Sequence, residues 1–243
     1  MKSLLLLSAS ILVTGSLVAA DADLQAEVKG ACKKLADKAN YSWHTDVESA
    51  GGPGGRRGGP TDGKTEKGGY TVLTMTRGDN TTEAVLKGDK GAIKTADGWQ
   101  SLAEAAESGG GGGGQRGGGR FLARMLQNYK TPAVEAEELA GKVKALKKDG
   151  DAYAGELTEE GARGLMAFGR GRGGGEGPAI SNAKGSVKFW IKDGLLSKYE
   201  FKVQGSMSFG GNDVEIDRTT TVEITDVGTT KIEVSEDAKK KLS

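Results

Sequence analysis

The sequence predicts an α+β fold: a long antiparallel sheet, apolar on one side, with helices available to cover that side. Three observations carry this expectation. In the last third of the chain Val187, Phe189 and Ile191 alternate with Lys188, Trp190 and Lys192. After an Asp193-Gly194 turn, Tyr199, Phe201 and Val203 alternate with Lys198, Glu200, Lys202 and Gln204, which makes a hairpin with one dry face. Between residues 41 and 95, short β-prone runs are punctuated by Gly-Asp, Asp-Asn and Asp-Lys-Gly turns, the pattern of a meander. Helical patterns gather in the middle of the chain, within residues 100–141.

The elements are expected in the following order. Residues 1–20 read as an export signal with Lys2 as its positive start, Leu4 to Leu7 with Ile11, Leu12 and Val13 as its apolar segment, and Val18-Ala19-Ala20 as its cleavage site. Ser8, Ser10, Thr14 and Ser16 interrupt that segment, which is too short for a membrane anchor, and nothing later is long and apolar enough to span a bilayer. The mature chain is then residues 21–243, a single domain in a bacterial periplasm or secreted. A first helix covers residues 22–38 and carries Leu24, Val28, Ala31, Cys32 and Leu35 on one stripe, so the only cysteine reads as a small packed hydrophobe. Strands follow at 41–47, 70–77, 82–87 and 91–95, then helices at 100–106, 120–128 and 133–141, the last with Thr131 as cap and Pro132 in its first turn. Residues 144–157 read as strand-turn-strand around Lys148-Asp149-Gly150, and 158–168 as a short helix opening on a capping box at Thr158. Beyond the hairpin, strands at 219–225 and 231–234 flank a turn at Asp226-Val227-Gly228, and residues 235–242 form a short polar helix or tail.

Glycine accounts for 41 of the 243 residues, and its excess lies at 51–63, 109–119 and 169–177. These stretches offer no side chains to bury and lose much backbone entropy on ordering, so they are expected as loop insertions within one sheet. They also generate false motifs. Gly58 to Thr65 spells the phosphate-binding pattern GxxxxGK[ST], but a strand-like run follows it where a helix is required. Residues 169–174 satisfy GxGxxG after a helical pattern in place of a strand. Residues 149–160 match a calcium loop at the first, third and twelfth positions and fail at Tyr153 and Ala154.

Charge and chemistry narrow the function classes. The 34 basic and 33 acidic side chains nearly cancel, and loss of Lys2 leaves the mature chain neutral, which argues against nucleic acid as partner. The only histidine, His44, has no second histidine or thiolate to make a zinc site, no GxSxG nucleophile elbow is present, and the chain reads as non-enzymatic with no cofactor. The tract arginines Arg56, Arg57, Arg116, Arg120, Arg170 and Arg172 suit either solvated loops or contact with an anionic envelope surface.

The order of these elements, an opening helix, a meander, central helices and long closing hairpins, resembles the LolA/LolB-like outer-membrane lipoprotein-carrier superfamily and its LppX-type lipid-binding relatives. The segments that carry the likeness are Gly88 to Trp99 (GDKGAIKTADGW), FWIKDGLLSKYEFKV and TTTVEITDVGTTKIEV; the glycine tracts depart from the pattern. The resemblance implies a curved sheet forming a half-open barrel, helices over its concave face, and a lipid or acyl chain held between them. Phe189, Ile191, Tyr199, Phe201 and Val203 would then line the ligand site from the sheet, with Phe121 and Met125 facing them from a helix. Packing of these same side chains into a core without a ligand is the alternative. A sensor or interaction domain that touches anionic surfaces through the Arg-Gly loops is the second functional reading.

Overall fold

The structure is a computed structural model and describes residues 16–50, 59–107, 118–167, 179–209 and 212–243. Among these residues a single antiparallel sheet of eleven strands extends through the molecule. The first six strands are β1 (Asn40–Ser49), β2 (Thr61–Glu66), β3 (Thr71–Arg77), β4 (Asn80–Lys87), β5 (Lys90–Thr95) and β6 (Gly98–Ser101). The other five are β7 (Val143–Asp149), β8 (Ala152–Leu157), β9 (Ala179–Lys192), β10 (Leu195–Phe209) and β11 (Asn212–Thr225). Their spatial order is β6-β5-β4-β3-β2-β1-β11-β10-β9-β8-β7, so the sheet is curved and open, a half-barrel with two free edges. Both edges are protected against strand addition. β6 has only four residues, and β7 carries Lys144, Lys147 and Lys148.

Six helices complete the described chain: α1 (Ser16–Ala36), α2 (Leu102–Glu107), α3 (Gly118–Gln127), α4 (Pro132–Gly141), α5 (Glu159–Met166) and α6 (Glu236–Lys241). α1 packs on α4 and on β7, β9 and β10, α5 packs on β9 and β10, and α2 with α3 covers β5. The main core lies between these helices and one face of the sheet. It contains Val28, Cys32 and Leu35 of α1, Trp43 of β1, Leu73 of β3, Ile93 of β5 and Leu139 of α4. Cys32 is fully buried, and that burial pushes its thiol pKa up to about 12, so it is a packed hydrophobe. On the opposite face α6 closes a small second cluster, Val85, Ala92, Ala238 and Leu242, flanked by Tyr70, Val72, Trp99 and Val234.

Local chemistry explains the helix ends. At α2, Ser101 N–H donates to Glu104 at 2.7 Å while Glu104 N–H donates to the Ser101 hydroxyl at 3.2 Å, a reciprocal capping box. The Thr158 hydroxyl accepts from Gly161 N–H at 3.0 Å, the first half of the box expected there; Gly161 has no side chain to return the bond. Thr131 caps α4 by backbone position alone, with Pro132 in the first turn.

The structure bears out the rejection of the phosphate-loop and calcium-loop motifs and shifts several element boundaries. Thr61–Glu66 is a strand, so Gly63, Lys64 and Thr65 of the apparent phosphate loop pair with β1 and β3. Asp149 to Asp151, the start of the apparent calcium loop, form the β7–β8 turn. Residues 231–234 form no strand, because β11, the strand across the turn that they would pair with, is already paired with β1 and β10. β9, β10 and β11 are roughly twice as long as the expected strands, at 14, 15 and 14 residues. α1 runs across the expected cleavage junction after Ala20, while the apolar part of the signal lies outside the described residues.

Candidate functional site

The candidate site is the concave face of the C-terminal hairpins. Because side chains alternate along a strand, the register assigns this face residue by residue. Tyr199 pairs with Phe189 and Val222, Phe201 with Val187 and Thr220, Val203 with Gly185 and Arg218, and Gly205 with Ile216. Met166 of α5 lies against Gly205, which places these residues under the helices.

This face has a covered end and a less covered end. Phe189, Tyr199 and Val203 are fully buried and Phe201 is nearly so; the Tyr199 and Phe201 rings stack with centroids 6.5 Å apart. Ile191 is half-buried against the same core. The sheet residues expected to meet a ligand are thus brought together on one face and lie beneath helical cover. Met125 of α3 is half-buried and joins the same cluster; the Phe121 side chain lies outside the described residues. Further along the strands, cover thins. Val47, Met75, Ile180, Val214 and Ile216 are all half-buried, whereas Thr220 and Val222 on β11 are buried. Leu122 and Met125 of α3 are half-buried and pack against the main core.

Polar groups interrupt the apolar face at two levels. Deep beneath α4, the Tyr199 hydroxyl donates to the Glu135 carboxylate, and burial pushes the Glu135 pKa up although that hydrogen bond opposes the rise. Tyr129 lies beside it, ring-stacked on Trp43 at 6.5 Å, and the Tyr41 hydroxyl is buried with no well-formed hydrogen bond. Trp43 itself lies flat over Gly63, where a Cβ would come within 2.0 Å of the indole, so the absence of a side chain at Gly63 creates the seat for the ring. At the second level is Arg218, on the inner face of β11 between Ser49 and Val203. Its Nη2 donates to the Leu165 carbonyl at 2.9 Å, its Nε is buried without an acceptor, and desolvation lowers its pKa.

Neither Glu135 nor Arg218 emerges from the motif reading, yet β11 holds the signal for Arg218. The run Val214, Ile216, Arg218, Thr220, Val222 and Ile224 keeps strict alternation, and a cation on the dry parity of a strand is the anomaly that marks it. The outer face carries a different cluster. His44 Nδ1 lies 2.7 Å from Asp62 and its Nε2 lies 3.2 Å from Asp46, all three side chains being exposed. Among the described residues no group of His, Cys, Asp and Glu side chains is arranged to hold a metal, and no helix is long and apolar enough to cross a membrane. A shallow depression of about 310 Å³ at the end of α1, lined by Lys34, Asp37, Lys38, Asp193 and Leu195, is open and mainly charged, and offers no apolar enclosure. Of the tract arginines, Arg120 alone falls within the described residues, so contact through the Arg-Gly loops lies outside them.

An open antiparallel half-barrel with helices across its concave face is the architecture these observations define. Among solved structures, the chain is similar to lipoprotein LppX from Mycobacterium tuberculosis, at 12% identity over 87% of this chain and 98% of that one, with a TM-score of 0.48. It is also similar to LprF from Mycobacterium bovis, at 10% identity over 89% and 98% of the two chains with a TM-score of 0.47. A LolA superfamily protein from Nitrosomonas europaea aligns at 9% identity over 86% and 94%, with a TM-score of 0.32. No family model and no curated protein sequence matches the chain.

Proposed function

We propose that this protein is a non-enzymatic carrier that binds a lipid or acyl chain on the concave face of its half-barrel, in the bacterial envelope. One observation carries the reading. On the inner faces of β9, β10 and β11, Ile180, Val214 and Ile216 remain half-buried, and Ile180 and Ile216 pack against the main core. An apolar surface that prolongs a core, with no layer among the described residues to finish it, is suited to an apolar guest, because covering it removes more surface from water. Phe189, Ile191, Tyr199, Phe201 and Val203 form the floor from which that surface extends, and Met125 of α3 packs against the same core. The export signal expected in residues 1–20 supports an envelope location.

Organic extraction of natively purified protein followed by mass spectrometry is expected to yield a bound apolar molecule. The stripped protein should then take up the neutral probe 1-N-phenylnaphthylamine with a fluorescence rise. Ile216→Glu places a carboxylate on the half-buried surface without opening the fully buried core, and should weaken uptake by about tenfold or more. Absence of both extracted lipid and probe uptake would overturn the proposal.

A further inference from the structure

Arg218 is the cation on the inner stripe of β11, with Ile216 and Val214 on one side of it and Thr220 and Val222 on the other. A guanidinium has five N–H donors in a fixed fork, and burial of any of them requires an acceptor. Here Nη2 reaches the Leu165 carbonyl, Nε is enclosed and unpartnered, and no carboxylate of the described residues stands within ion-pairing distance. The acid whose field reaches Arg218 is Glu135, and that carboxyl is already bonded by Tyr199 and driven toward its neutral form by burial. Among the described residues the positive charge at this position is thus left without a counter-charge, in surroundings where an ion is costly unless paired. The rest of the stripe supplies an apolar track. From Arg218 to Val214 the strand runs four residues, roughly 13 Å, past Ile216 and opposite Met207 on β10.

Building on the apolar-carrier reading, we infer that Arg218 is the head-group anchor of this surface, and that the ligand class is a single-headed anionic amphiphile whose carboxylate or phosphate meets the guanidinium while its chain lies along Ile216 and Val214. An arginine fork favours such planar or tetrahedral oxyanions over neutral heads through charge-assisted hydrogen bonds, and the half-buried location shields the pair from salt. Leu165 then fixes the fork from behind through Nη2 and leaves the other terminal N–H groups of the guanidinium for the ligand.

The test compares heads on one chain. Displacement of 1-N-phenylnaphthylamine from the stripped full-length protein is measured with oleate, oleoyl lysophosphatidic acid, oleyl alcohol, and acetate or inorganic phosphate alone. The wild-type protein should prefer the two anionic amphiphiles over oleyl alcohol by about tenfold or more, and acetate and phosphate should not displace the probe. Arg218→Met should abolish the preference while oleyl alcohol affinity stays within about twofold, and Arg218→Lys should restore part of it; circular dichroism and thermal melting establish that each variant is folded. Equal affinity of the wild type for oleate and oleyl alcohol would overturn the anchor and leave apolar binding standing, and needs no variant at all. An equal loss for both heads in Arg218→Met would assign Arg218 to holding Leu165 only, and likewise overturn it. Displacement by free phosphate would overturn the lipid-head assignment, and failure of every probe would overturn the carrier reading together with it.

Discussion

At the scale of single residues, two titrating groups give the protein opposite exposures and the same sign of pH dependence. The Asp62 carboxylate on Nδ1, with Asp46 near Nε2, holds the His44 imidazole above its ordinary value. A histidine whose folded pKa is raised contributes stability that is complete below the unfolded value of roughly 6.5 and is lost as pH rises through the folded value. Because His44 is the only histidine in the sequence, its ring resonances in an NMR titration report this pKa directly. Asp62→Asn should lower it and remove the associated slope, and high salt should shrink the effect in this exposed cluster. An unchanged titration would show that the Asp62 contact does not persist in solution. Glu135 is raised by burial instead. The native state keeps a proton that the unfolded chain releases near roughly 4.3, so stability declines as pH climbs from there through the folded pKa. Glu135→Gln retains an acceptor for Tyr199 and should flatten that decline in urea midpoints taken across the range. Tyr199→Phe should cost about 1–3 kcal/mol, since it strips the buried carboxyl of its donor.

At the scale of elements, backbone pairing decides what side-chain pattern alone does not. β10 and the neighbouring part of β9 are legible because Val187 to Ile191 and Tyr199 to Val203 alternate without a break. β2 is not, since Thr61-Asp62-Gly63-Lys64-Thr65-Glu66 has no apolar residue and borders a glycine tract; it is a strand because β1 and β3 each supply a ladder. Ile232 and Val234 alternate as a strand would, yet they have no free neighbour to pair with, and Val234 turns to the outer cluster instead. The anchor candidate Arg218 was legible only as a break in parity, and Glu135 not at all, because nothing in α4 announces that Tyr199, 64 residues away, will bond it. The role of Gly63 in β2 follows from the same pairing and can be measured. Gly63→Ala drives a Cβ into the Trp43 indole, which is almost wholly buried and has no room to retreat, and should destabilise by about 1–3 kcal/mol or more. Gly164 in α5 is its control: a Cβ there meets nothing within 4 Å, so Gly164→Ala should stabilise by about 0.5–1 kcal/mol. Denaturant midpoints of the two variants shifting in the same direction would contradict the packing at Trp43.

At the scale of the whole molecule, the sheet is two meanders zipped by one seam. β1 to β6 run consecutively, as do β7 to β11, and the two sets meet only where Ser42 to Ser49 pair with Thr225 to Arg218. These partners are far apart in sequence, so the seam closes late and slowly relative to the hairpins on either side. Once closed, it makes the halves interdependent, because β1 and β11 both contribute to the core that α1, α4 and α5 cover: Trp43 from one side, Val222 from the other. One cooperative unfolding transition is the consequence. Two variants test it, one retaining only Trp43 as fluorophore and one only Trp190, which report from opposite sides of the seam. Their urea transitions should coincide with each other and with far-UV circular dichroism, and Val222→Ala should shift all three together by about 2 kcal/mol. Separate midpoints for Trp43 and Trp190 would show two folding units joined side by side. In that case the concave face would not form as one surface, since Arg218, Ile216 and Val214 hang from β11 and Val47 from β1, and a ligand lying across the seam would itself have to hold the halves together.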